Sequence, residues 1–510
     1  MSAHVRPRLA VFAFAVVGMT ALPLAGKVAS SRAAPTKQAP AKGKLVVHLA
    51  ASRLAPAQAS EIAFSYRFRR PSTRFSYLLE RKQSSGWITL RSVKLKGRLK
   101  GVHNSTVKRL FGRRAIIAGR YRLRLSSDQN SVTLRFTVFA AEPVKGATGI
   151  SAGGSSTCVL VADGGIDCWG FNGDGELGNG TMTNSSTPVA VYGIIGATSV
   201  NTGFKHTCAL IGSGLVSCWG DNKLGELGNG TLTSSSTPVA VSALSGVVAN
   251  SSGAAHTCAV LTDGAVYCWG DNEVGELGLG VLNQLAPYGI SSPEQVSGVS
   301  NAVGVSAGFL HTCVLISGGS IECWGYNEEG QVGNGTVNAA RPHAEPFPVH
   351  VVGLTNAIAI SAGNFHTCAL IAGGTVKCWG YIVPSDFRPN ELLNSPVPLQ
   401  AAGIKHAIAI SSGAVHTCAL IAGGTVKCWG ANQYGQLGNG KTQDSAKPVT
   451  VIGIRHVVSI SSGGVHSCAV LVGGAVKCWG GNDQGELGTG TLTASSVPIS
   501  VVQPPSVIPR

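Results

Sequence analysis

Apolar and polar residues alternate in short runs over most of the chain, and the same order of runs recurs seven times at intervals of 50 or 55 residues. In one copy, residues 416–421 and 425–430 place β-branched, aromatic and other apolar side chains at alternate positions, which predicts two half-buried strands. The glycines of segment 422–424 predict a tight turn, so the two strands form a β-hairpin. A further apolar run precedes each hairpin, as in 357–363, and another follows it, as in 188–191. Each copy is therefore predicted to contain four strands.

Each hairpin carries one cysteine on each strand, ten residues apart, and the second cysteine is always followed by Trp-Gly. The pairs, which use all fourteen cysteines, are Cys158 with Cys168, Cys208 with Cys218, Cys258 with Cys268, Cys313 with Cys323, Cys368 with Cys378, Cys418 with Cys428 and Cys468 with Cys478. In a hairpin centred on the glycine turn, paired cysteines face each other at a Cα separation of ~4.5 Å, which is within disulfide reach. We therefore predict seven disulfides. Zinc is the rival interpretation, because six copies have a histidine two residues before the first cysteine, but structural zinc sites use closer cysteine spacing.

Seven units of four strands predict an all-β fold, a seven-bladed β-propeller, over residues 147–502. The units, such as 411–420 followed by 426–440, resemble the regulator-of-chromosome-condensation repeat family, and the paired cysteines look like those of its secreted bacterial members. The resemblance implies an interaction platform, and guanine-nucleotide exchange on a small GTPase for the eukaryotic namesakes. We do not expect exchange activity here, because export and disulfides separate this chain from a cytosolic GTPase.

The first 29 residues have the layout of a secretory signal peptide, since His4, Arg6 and Arg8 precede an apolar run. Export agrees with disulfides, which persist in oxidising compartments. An uncleaved membrane anchor is the alternative, although the apolar run is short for a membrane span. Residues 30–43 are rich in Ala, Pro, Ser and Lys and are predicted to be a disordered spacer, and residues 503–510 a tail.

Residues 44–140 contain no cysteine and are predicted to form a separate domain. Apolar residues alternate with polar ones, many of them arginine, in 64–68, 75–79, 121–125 and 132–138. About seven short strands in this length fit an immunoglobulin-like or fibronectin-like β-sandwich that precedes the propeller.

Charge divides sharply at the end of this domain. Residues 1–145 carry 28 Lys and Arg against 4 Asp and Glu, a net charge of +24, whereas residues 146–510 carry a net charge of −8. We expect the basic domain to bind an anionic surface, such as a wall polymer, an acidic polysaccharide or lipid head groups, and no specific nucleic acid. The candidate anion-binding side chains are Arg67, Arg69, Arg70, Arg74, Arg113, Arg114, Arg120, Arg122 and Arg124. The alternative is that this domain docks on its own acidic propeller.

Three repeated polar features are candidates for chemistry, and each has a structural interpretation. Segments 149–153 and 304–308 match the Gly-x-Ser-x-Gly pattern of a hydrolase, but other copies break the pattern and no helix is predicted to follow. The histidine before each first cysteine could form part of a ring of imidazoles that binds a metal or senses pH. We favour a structural interpretation, in which each histidine makes the same local hydrogen bond in its blade. The histidines are His206, His256, His311, His366, His416 and His466. A glutamate recurs at the same position of the repeat, and we interpret it as a structural turn residue, because catalytic carboxylates work as pairs in different environments. These residues are Glu176, Glu226, Glu276 and Glu486, with Gln331 and Gln436 at the matching positions.

Departures from the repeat predict where a partner binds. Insertions near 279–296 and 337–349 and a replaced turn at 381–389 all lie at the blade end opposite the glycine turns. Aromatic side chains and arginine on a rigid rim are typical of protein-binding hot spots. The candidate rim residues are Phe171, Phe204, Tyr288, Phe309, Leu310, Tyr326, Phe347, Phe365, Tyr381, Phe387 and Arg388.

Together these patterns favour a secreted or cell-surface, non-enzymatic binding protein. We expect a monomer without a cofactor, whose propeller binds a protein or a glycan. A polysaccharide lyase or hydrolase on the propeller is the alternative. Its acids would come from Asp386, Glu391, Glu294 and Glu345, which lie in the insertions without a recognisable spacing.

Overall fold

A computed structural model describes residues 46–49, 53–54, 63–83, 86–106, 119–127, 131–138, 142–144, 146–283, 289–382 and 393–503. The regular elements in these ranges are all β-strands, numbered β1 to β36 in chain order. Within the same ranges, no helix is long and apolar enough to cross a membrane.

Seven four-stranded antiparallel sheets form the blades of a propeller. Blade 1 contains β8 (Ala147–Ala152), β9 (Ser156–Val161), β10 (Ile166–Gly170) and β11 (Ser185–Ala190), and blade 2 contains β12 (Ala197–Thr202), β13 (His206–Ile211), β14 (Leu215–Gly220) and β15 (Ser235–Ala240). Blade 3 contains β16 (Val247–Ser252), β17 (His256–Leu261), β18 (Val266–Asp271) and β19 (Gly289–Gln295), and blade 4 contains β20 (Ala302–Ala307), β21 (His311–Ile316), β22 (Ile321–Tyr326) and β23 (Ala344–His350). Blade 5 contains β24 (Ala357–Ala362), β25 (His366–Ile371), β26 (Thr375–Ile382) and β27 (Leu393–Gln400). Blade 6 contains β28 (Ala407–Ser412), β29 (His416–Ile421), β30 (Thr425–Gly430) and β31 (Ser445–Thr450), and blade 7 contains β32 (Val457–Ser462), β33 (His466–Leu471), β34 (Val476–Gly480) and β35 (Ser495–Ser500).

Every blade is a meander of consecutive strands, and the first strands of neighbouring blades pack against each other around the central channel. The predicted seven-bladed propeller with four strands per blade is confirmed.

The paired cysteines lie directly opposite each other on the second and third strands of every blade, and their Cα atoms are 4.0–4.1 Å apart. Every cysteine is bonded, so the seven predicted disulfides are confirmed. The bonds join Cys158 to Cys168, Cys208 to Cys218, Cys258 to Cys268, Cys313 to Cys323, Cys368 to Cys378, Cys418 to Cys428 and Cys468 to Cys478. The rival zinc interpretation is wrong, because all the thiols that would bind the metal are consumed in these bonds.

Steric crowding explains why a glycine follows each repeat tryptophan. At Gly430 the backbone has a φ of 111°, in the region that favours glycine. A Cβ there would also lie 2.5 Å from the carbonyl oxygen of Val415. The third strand therefore passes close to the start of the second strand only because this residue has no side chain.

The hydrophobic core is divided into clusters that lie between consecutive blades. Between blades 2 and 3, for example, Leu210, Val216 and Leu227 pack against Ala259 and Trp269 of the next blade. Six of the seven repeat tryptophans are fully buried: Trp169, Trp219, Trp269, Trp324, Trp379 and Trp479. Loss of a buried side chain of this size costs about 3–5 kcal/mol. The contacts between blades are thus a main source of stability.

A repeated turn completes each of these six interfaces. The indole Nε1–H donates to the backbone carbonyl of the turn glutamate or glutamine in the preceding blade, at 2.6–2.9 Å. The apolar residue that follows in the turn is completely buried in all six: Leu177, Leu227, Leu277, Val332, Leu437 and Leu487. The turn of one blade therefore closes over the tryptophan of the next.

Blade 7 meets blade 1 through the same contacts that join the other blades, which answers a question that the sequence left open. Trp169 donates to the Glu486 carbonyl at 2.6 Å, and the Gly464 N–H donates to the Gly153 carbonyl at 2.9 Å. In addition, β36 (Val502–Gln503) pairs with β7 (Glu142–Pro143) outside the blades. Each blade is contiguous in sequence, and no strand is exchanged to close the ring.

The strands before the propeller form one hydrogen-bonded network in the order β1-β3-β5-β6-β2, with β4 on the other edge of β3. They are β1 (Val46–Leu49), β2 (Arg53–Leu54), β3 (Ala63–Gln83), β4 (Gly86–Thr106), β5 (Gly119–Ser127) and β6 (Ser131–Val138). Two of the short strands expected from the sequence, 64–68 and 75–79, are parts of the single 21-residue strand β3. The β-sandwich therefore stays a prediction. The signal peptide, the spacer and residues 504–510 of the tail lie outside the described residues.

Candidate protein-binding surface at the channel mouth

The loops between the first and second strands surround one mouth of the central channel. Each loop begins with a glycine: Gly153, Gly203, Gly253, Gly308, Gly363, Gly413 and Gly463. A Cβ on any of them would lie 2.2–2.6 Å from the carbonyl oxygen of the equivalent glycine in the next blade. Seven glycines thus allow the blades to approach closely and narrow the channel.

The residue after this glycine lines the mouth and differs between blades. It is small in four blades, at Gly154, Ala254, Ala414 and Gly464, and larger in three, at Phe204, Phe309 and Asn364. Backbone hydrogen bonds between blades hold these positions, with Phe204 N–H donating to the Gly253 carbonyl at 3.1 Å and Phe309 N–H to the Gly363 carbonyl at 3.2 Å. The varied side chains therefore stand on a rigid ring.

Phe204, Phe309 and Phe365 come together beside the mouth and are called the phenylalanine cluster below. The ring centroids of Phe204 and Phe309 are 5.7 Å apart with planes at 89°, and those of Phe309 and Phe365 are 6.2 Å apart with planes at 44°. Non-parallel rings at such distances are favourable aromatic contacts. Phe204 is 40% exposed, and the other two are half-buried. The three side chains, from blades 2, 4 and 5, form an accessible apolar patch.

Other predicted rim residues lie around this cluster or apart from it. Phe171, Tyr326 and Tyr381 donate their backbone N–H to the carbonyls of Ser155, Leu310 and Phe365, so they stand beside the mouth loops at the same blade end. Leu310 is half-buried. Phe347 lies on the outer strand β23 and is 57% exposed. Tyr288, Phe387 and Arg388 lie outside the described residues.

Two differently charged regions lie on the connections between strands of the propeller. On blades 1 and 2, Lys223 pairs with Asp174 at 3.0 Å and with Asp221 at 2.9 Å. On the side of blades 4 and 5, burial raises the pKa of Tyr381, and the neighbouring carboxylates Glu329 and Asp444 raise it further. Ion-paired charges therefore lie on blades 1 and 2, and acidic groups act on Tyr381 of blade 5.

The six repeated histidines all make the same hydrogen bond, as the sequence interpretation favoured, but that bond is not local and joins each histidine to the next blade. Each Nε2 lies 2.8–2.9 Å from the threonine or serine hydroxyl of the next blade. In five cases that hydroxyl donates to a turn carbonyl, as Thr257 does to Glu226 at 3.1 Å, so the imidazole must donate from Nε2–H. Burial lowers their pKa to about 3 or 4. These histidines are neutral structural residues, and the described residues contain no group of three metal-ligating side chains.

The turn carboxylates and the repeated serines also have structural roles. The Glu226 carboxylate accepts the backbone N–H of Leu224 at 2.9 Å, and glutamine makes the equivalent bond in two blades. Burial raises the pKa of Glu226 to about 7 and of Glu276 to about 8. Ser306, in a nucleophile-like segment, accepts the Ala362 N–H of the next blade at 2.9 Å. The histidines and serines therefore join neighbouring blades, whereas the carboxylates brace the turn within their own blade.

Two of the four acids proposed for an enzymatic alternative lie in the described part of the chain, and they are on different blades. Glu294 and Glu345 lie on the outer strands β19 and β23 of different blades. Burial alone raises the pKa of Glu345, without a contribution from a neighbouring carboxylate. Asp386 and Glu391 lie outside the described residues.

The candidate anion-binding arginines of β3 and β5 are placed on their strands by backbone register. Arg120, Arg122 and Arg124 lie on β5, where they alternate in sequence with Leu123 and Leu125, both of which are buried. Arg122 lies opposite Glu80, a buried residue on the neighbouring strand. Arg67, Arg69, Arg70 and Arg74 lie on β3, and Arg113 and Arg114 lie outside the described residues.

One feature of the site was missed from the sequence. The sequence shows that the turn after Gly380 departs from the repeat, but it does not show the effect of this change on Trp429. Trp429 is the only repeat tryptophan in the described blades that is half-buried, and the sequence one repeat upstream lacks the Gly-(Glu or Gln)-Leu-Gly turn that covers its equivalents. The signal was the missing Gly-Gln-Leu-Gly sequence one repeat upstream.

These features define a disulfide-linked, seven-bladed repeat propeller with an aromatic patch at one channel mouth. The chain belongs to the regulator of chromosome condensation (RCC1) repeat family. One model of this repeat matches residues 163–210, 213–260, 263–315, 319–370 and 423–470, and a second matches 147–176, 247–276, 302–331, 407–436 and 457–486. Propellers of this family are typically protein-interaction scaffolds or guanine-nucleotide exchange factors.

Similarity to individual proteins is limited to a few repeats in sequence and extends over the propeller in structure. The chain is 36% identical over 85 residues to the Regulator of chromosome condensation of Drosophila melanogaster, and 36% identical over 80 residues to the E3 ubiquitin-protein ligase MYCBP2 of Danio rerio. These matches span 17% and 16% of this chain but 15% and 2% of the relatives. Yeast RCC1 (Prp20), solved with Kap60, superposes with a TM-score of 0.57 and 24% identity over 66% of this chain and 83% of that chain. Human WBSCR16 gives a TM-score of 0.59 and 22% identity over 67% and 95%. Identity this low shows a shared fold alone.

Proposed function

We propose that this protein is an exported, non-enzymatic scaffold whose propeller binds a partner protein through the phenylalanine cluster. The observation that carries the proposal is the convergence of Phe204, Phe309 and Phe365 from three blades. At the position of Phe204 and Phe309 the other blades hold glycine, alanine or asparagine, and the position of Phe365 is not aromatic in any other blade, so the fold itself does not require aromatic residues there. Accessible aromatic side chains on a rigid frame are typical anchors of protein interfaces.

Export is supported by two independent features. Seven intramolecular disulfides indicate an oxidising environment, because such bonds are reduced in the cytosol. The first 29 residues have the charge and hydropathy order of a signal peptide.

A protein partner is favoured over a glycan by the family. Yeast RCC1 (Prp20) is solved bound to Kap60, and Prp20p from Saccharomyces cerevisiae has binding properties toward Gsp1p and histones. An export signal directs this chain away from such partners, so we transfer the class of ligand, a protein, and not its identity.

The basic N-terminal domain is proposed to attach the scaffold to an anionic surface. Residues 44–140 carry 21 Lys and Arg against 3 Asp and Glu, a net charge of +18, which supports electrostatic attraction that salt screens. Binding to heparin or to anionic vesicles is expected to fall steeply between about 0.05 and 0.5 M salt, and to weaken further when Arg120 and Arg124 become serine. Binding that is independent of salt contradicts this part of the proposal.

The scaffold proposal is tested by capture of proteins from the native extracellular medium and cell surface at high salt, with identification by mass spectrometry. The full-length protein is compared with a triple variant, Phe204→Ala, Phe309→Ala and Phe365→Ala. A matched control replaces Tyr192 and Ile195, which are 70% and 81% exposed on the connection between blades 1 and 2, with alanine. We expect one protein captured by the parent and the control but not by the triple variant. Equal capture by the triple variant contradicts the assignment, and depletion of a polysaccharide without captured protein favours the enzymatic alternative.

A further inference from the structure

The interface between blades 5 and 6 departs from the other six. After Gly380 the chain continues as Tyr381-Ile382 in place of the Gly-Glu-Leu-Gly or Gly-Gln-Leu-Gly turn. No hydrogen bond joins Trp429 Nε1 to any residue in the described ranges, whereas its six equivalents each donate to a turn carbonyl. The tryptophan is half-buried rather than buried.

Among the described residues, the layer that this turn covers in the other interfaces contains a cavity. A cavity of about 40 Å³ lies there, lined by His366, Cys378, Tyr381, Val415, Thr417 and Trp429. Cys378 is 8% exposed, whereas the other thirteen cysteines are at most 1% exposed. His366 is 6% exposed, against at most 1% for the equivalent histidines. The exposure of these residues follows from one local change in an otherwise repeated interface.

The six filled interfaces show what such a cavity accepts. In each, one carbonyl oxygen receives both the indole N–H and the hydroxyl of the adjacent threonine or serine, as the Glu226 carbonyl does from Trp269 at 2.9 Å and Thr257 at 3.1 Å. A leucine or valine then enters the core, and a glycine packs on the indole, as Gly228 does on Trp269. Thr417 and Trp429 present the same two donors without such a carbonyl among the described residues.

We propose that the cavity, called the open turn site, binds a tight turn of a partner protein with the form Gly-(Glu or Gln)-Leu-Gly. The partner's carbonyl would accept from Trp429 Nε1–H and Thr417 Oγ1–H, its leucine would enter the slot between blades 5 and 6, and its glycine would lie against the indole. The six turns that fill the other interfaces of this propeller define the sequence and the contacts expected of the ligand. The inference goes beyond the scaffold proposal and does not depend on the phenylalanine cluster.

The probe is a cyclic peptide that copies residues 432–440, Asn-Gln-Tyr-Gly-Gln-Leu-Gly-Asn-Gly, the turn that fills the next interface. It is titrated into the full-length oxidised protein labelled with ¹⁵N at the indoles of its eight tryptophans. Trp429→Phe, which keeps a ring but removes the donor, assigns the Trp429 signal. We expect that signal alone to move downfield in a saturable manner, and the affinity to fall at least tenfold in Trp429→Phe.

Two controls make the result specific. Trp324→Phe applies the same substitution at a filled interface and should leave peptide binding unchanged. A peptide with aspartate in place of leucine should not bind, because the slot is apolar. The phenylalanine-cluster triple variant should bind the peptide normally, so failure of one proposal is distinguishable from failure of the other.

Three results would overturn the inference: no indole shift at saturating peptide, equal binding by Trp429→Phe, or equal binding of the aspartate peptide. A fourth is slow hydrogen exchange of the Trp429 indole in the free protein. That result would mean the chain fills its own site, and a partner turn would have no place there.

Discussion

Among single residues, the glycine that begins each channel loop is the one that the structure restricts most strongly, because a side chain there would collide with the next blade. A Cβ at Gly308 would lie 2.5 Å from the Gly363 carbonyl oxygen and 2.4 Å from the His311 ring. Both atoms belong to the ring of contacts between blades, so neither can move freely. Gly308→Ala is expected to destabilise the protein by about 2 kcal/mol or more, as for overpacking of a core.

A matched control stands four residues earlier in the same blade. A Cβ at Gly304 would meet only the Leu315 Cβ, at 3.9 Å, an ordinary contact. Gly304→Ala should therefore change the free energy of unfolding by less than about 0.5 kcal/mol. Urea unfolding followed by tryptophan fluorescence measures both variants, and similar losses would show that the close approach at Gly308 is not the limiting contact.

The sequence supported the correct structural roles of the repeated serine, histidine and glutamate, but not their partners. Repetition argued against catalysis, since seven equal copies cannot supply an asymmetric site. The partner of Ser306 is the Ala362 N–H, and that of His311 is Thr367, both 56 residues away in the next blade. Such pairs depend on the angle between blades, which no local pattern encodes. The clustering of Phe204 with Phe309 was hidden for the same reason, because Ala254 lies between them in the ring.

At the level of the strands and their disulfides, the open turn site makes one disulfide more accessible than the others. Cys378 is 8% exposed, whereas Cys418 and Cys428 of the next blade are at most 1% exposed. A small phosphine reductant under native conditions should reduce the bond between Cys368 and Cys378 first, because attack requires access to a sulfur atom. Alkylation at timed intervals and peptide mass spectrometry measure the order. Equal rates for all seven bonds would show that reduction needs a wider opening of the ring.

Strands and hairpins of the propeller were predictable because alternation, the glycine turns and the cysteine spacing all indicate the same pairing. The symmetric position of Cys418 and Cys428 about the turn is enough to define the register of the hairpin. The strands of the N-terminal domain were harder, since 64–68 and 75–79 are continuous in β3 although Pro71 separates them. A proline is tolerated near the register shift between Phe68 and Ser72, where the regular ladder is interrupted.

For the ring as a whole, closure depends on the same turn-covered interface that is used five other times, and not on an exchanged strand. Blade 1 lacks the repeated histidine and has Ser156, whose buried hydroxyl has no hydrogen-bond partner among the described residues. Its Thr157 nevertheless receives His466 of blade 7 at 2.8 Å. Blade 1 therefore retains Thr157, the residue that bonds to blade 7 and completes the ring, but lacks the histidine that would bond to blade 2.

The buried histidines make the stability of the ring depend on pH. In the unfolded chain a histidine has a pKa near 6.5, whereas burial lowers that of His311 to about 3. Below pH 6.5 the unfolded chain binds a proton that the folded chain does not, so the free energy of unfolding falls as the pH falls from about 6.5 toward 3. The buried glutamates act in the opposite direction, because burial raises the pKa of Glu276 to about 8. A comparison between parent and variant cancels that contribution.

We expect His311→Asn to lower stability at pH 7.5 but to reduce its dependence on acid. Below about pH 6 the difference between parent and variant should shrink by up to about 1.4 kcal/mol per pH unit, the value for one proton. His406, which is exposed, supplies the control substitution, His406→Asn. Urea unfolding at intervals from pH 4.5 to 8 measures all three proteins. Parallel curves for parent and His311→Asn would mean that the folded ring admits a proton at this position, and the neutral cross-blade hydrogen bond would then be the wrong description of the interface.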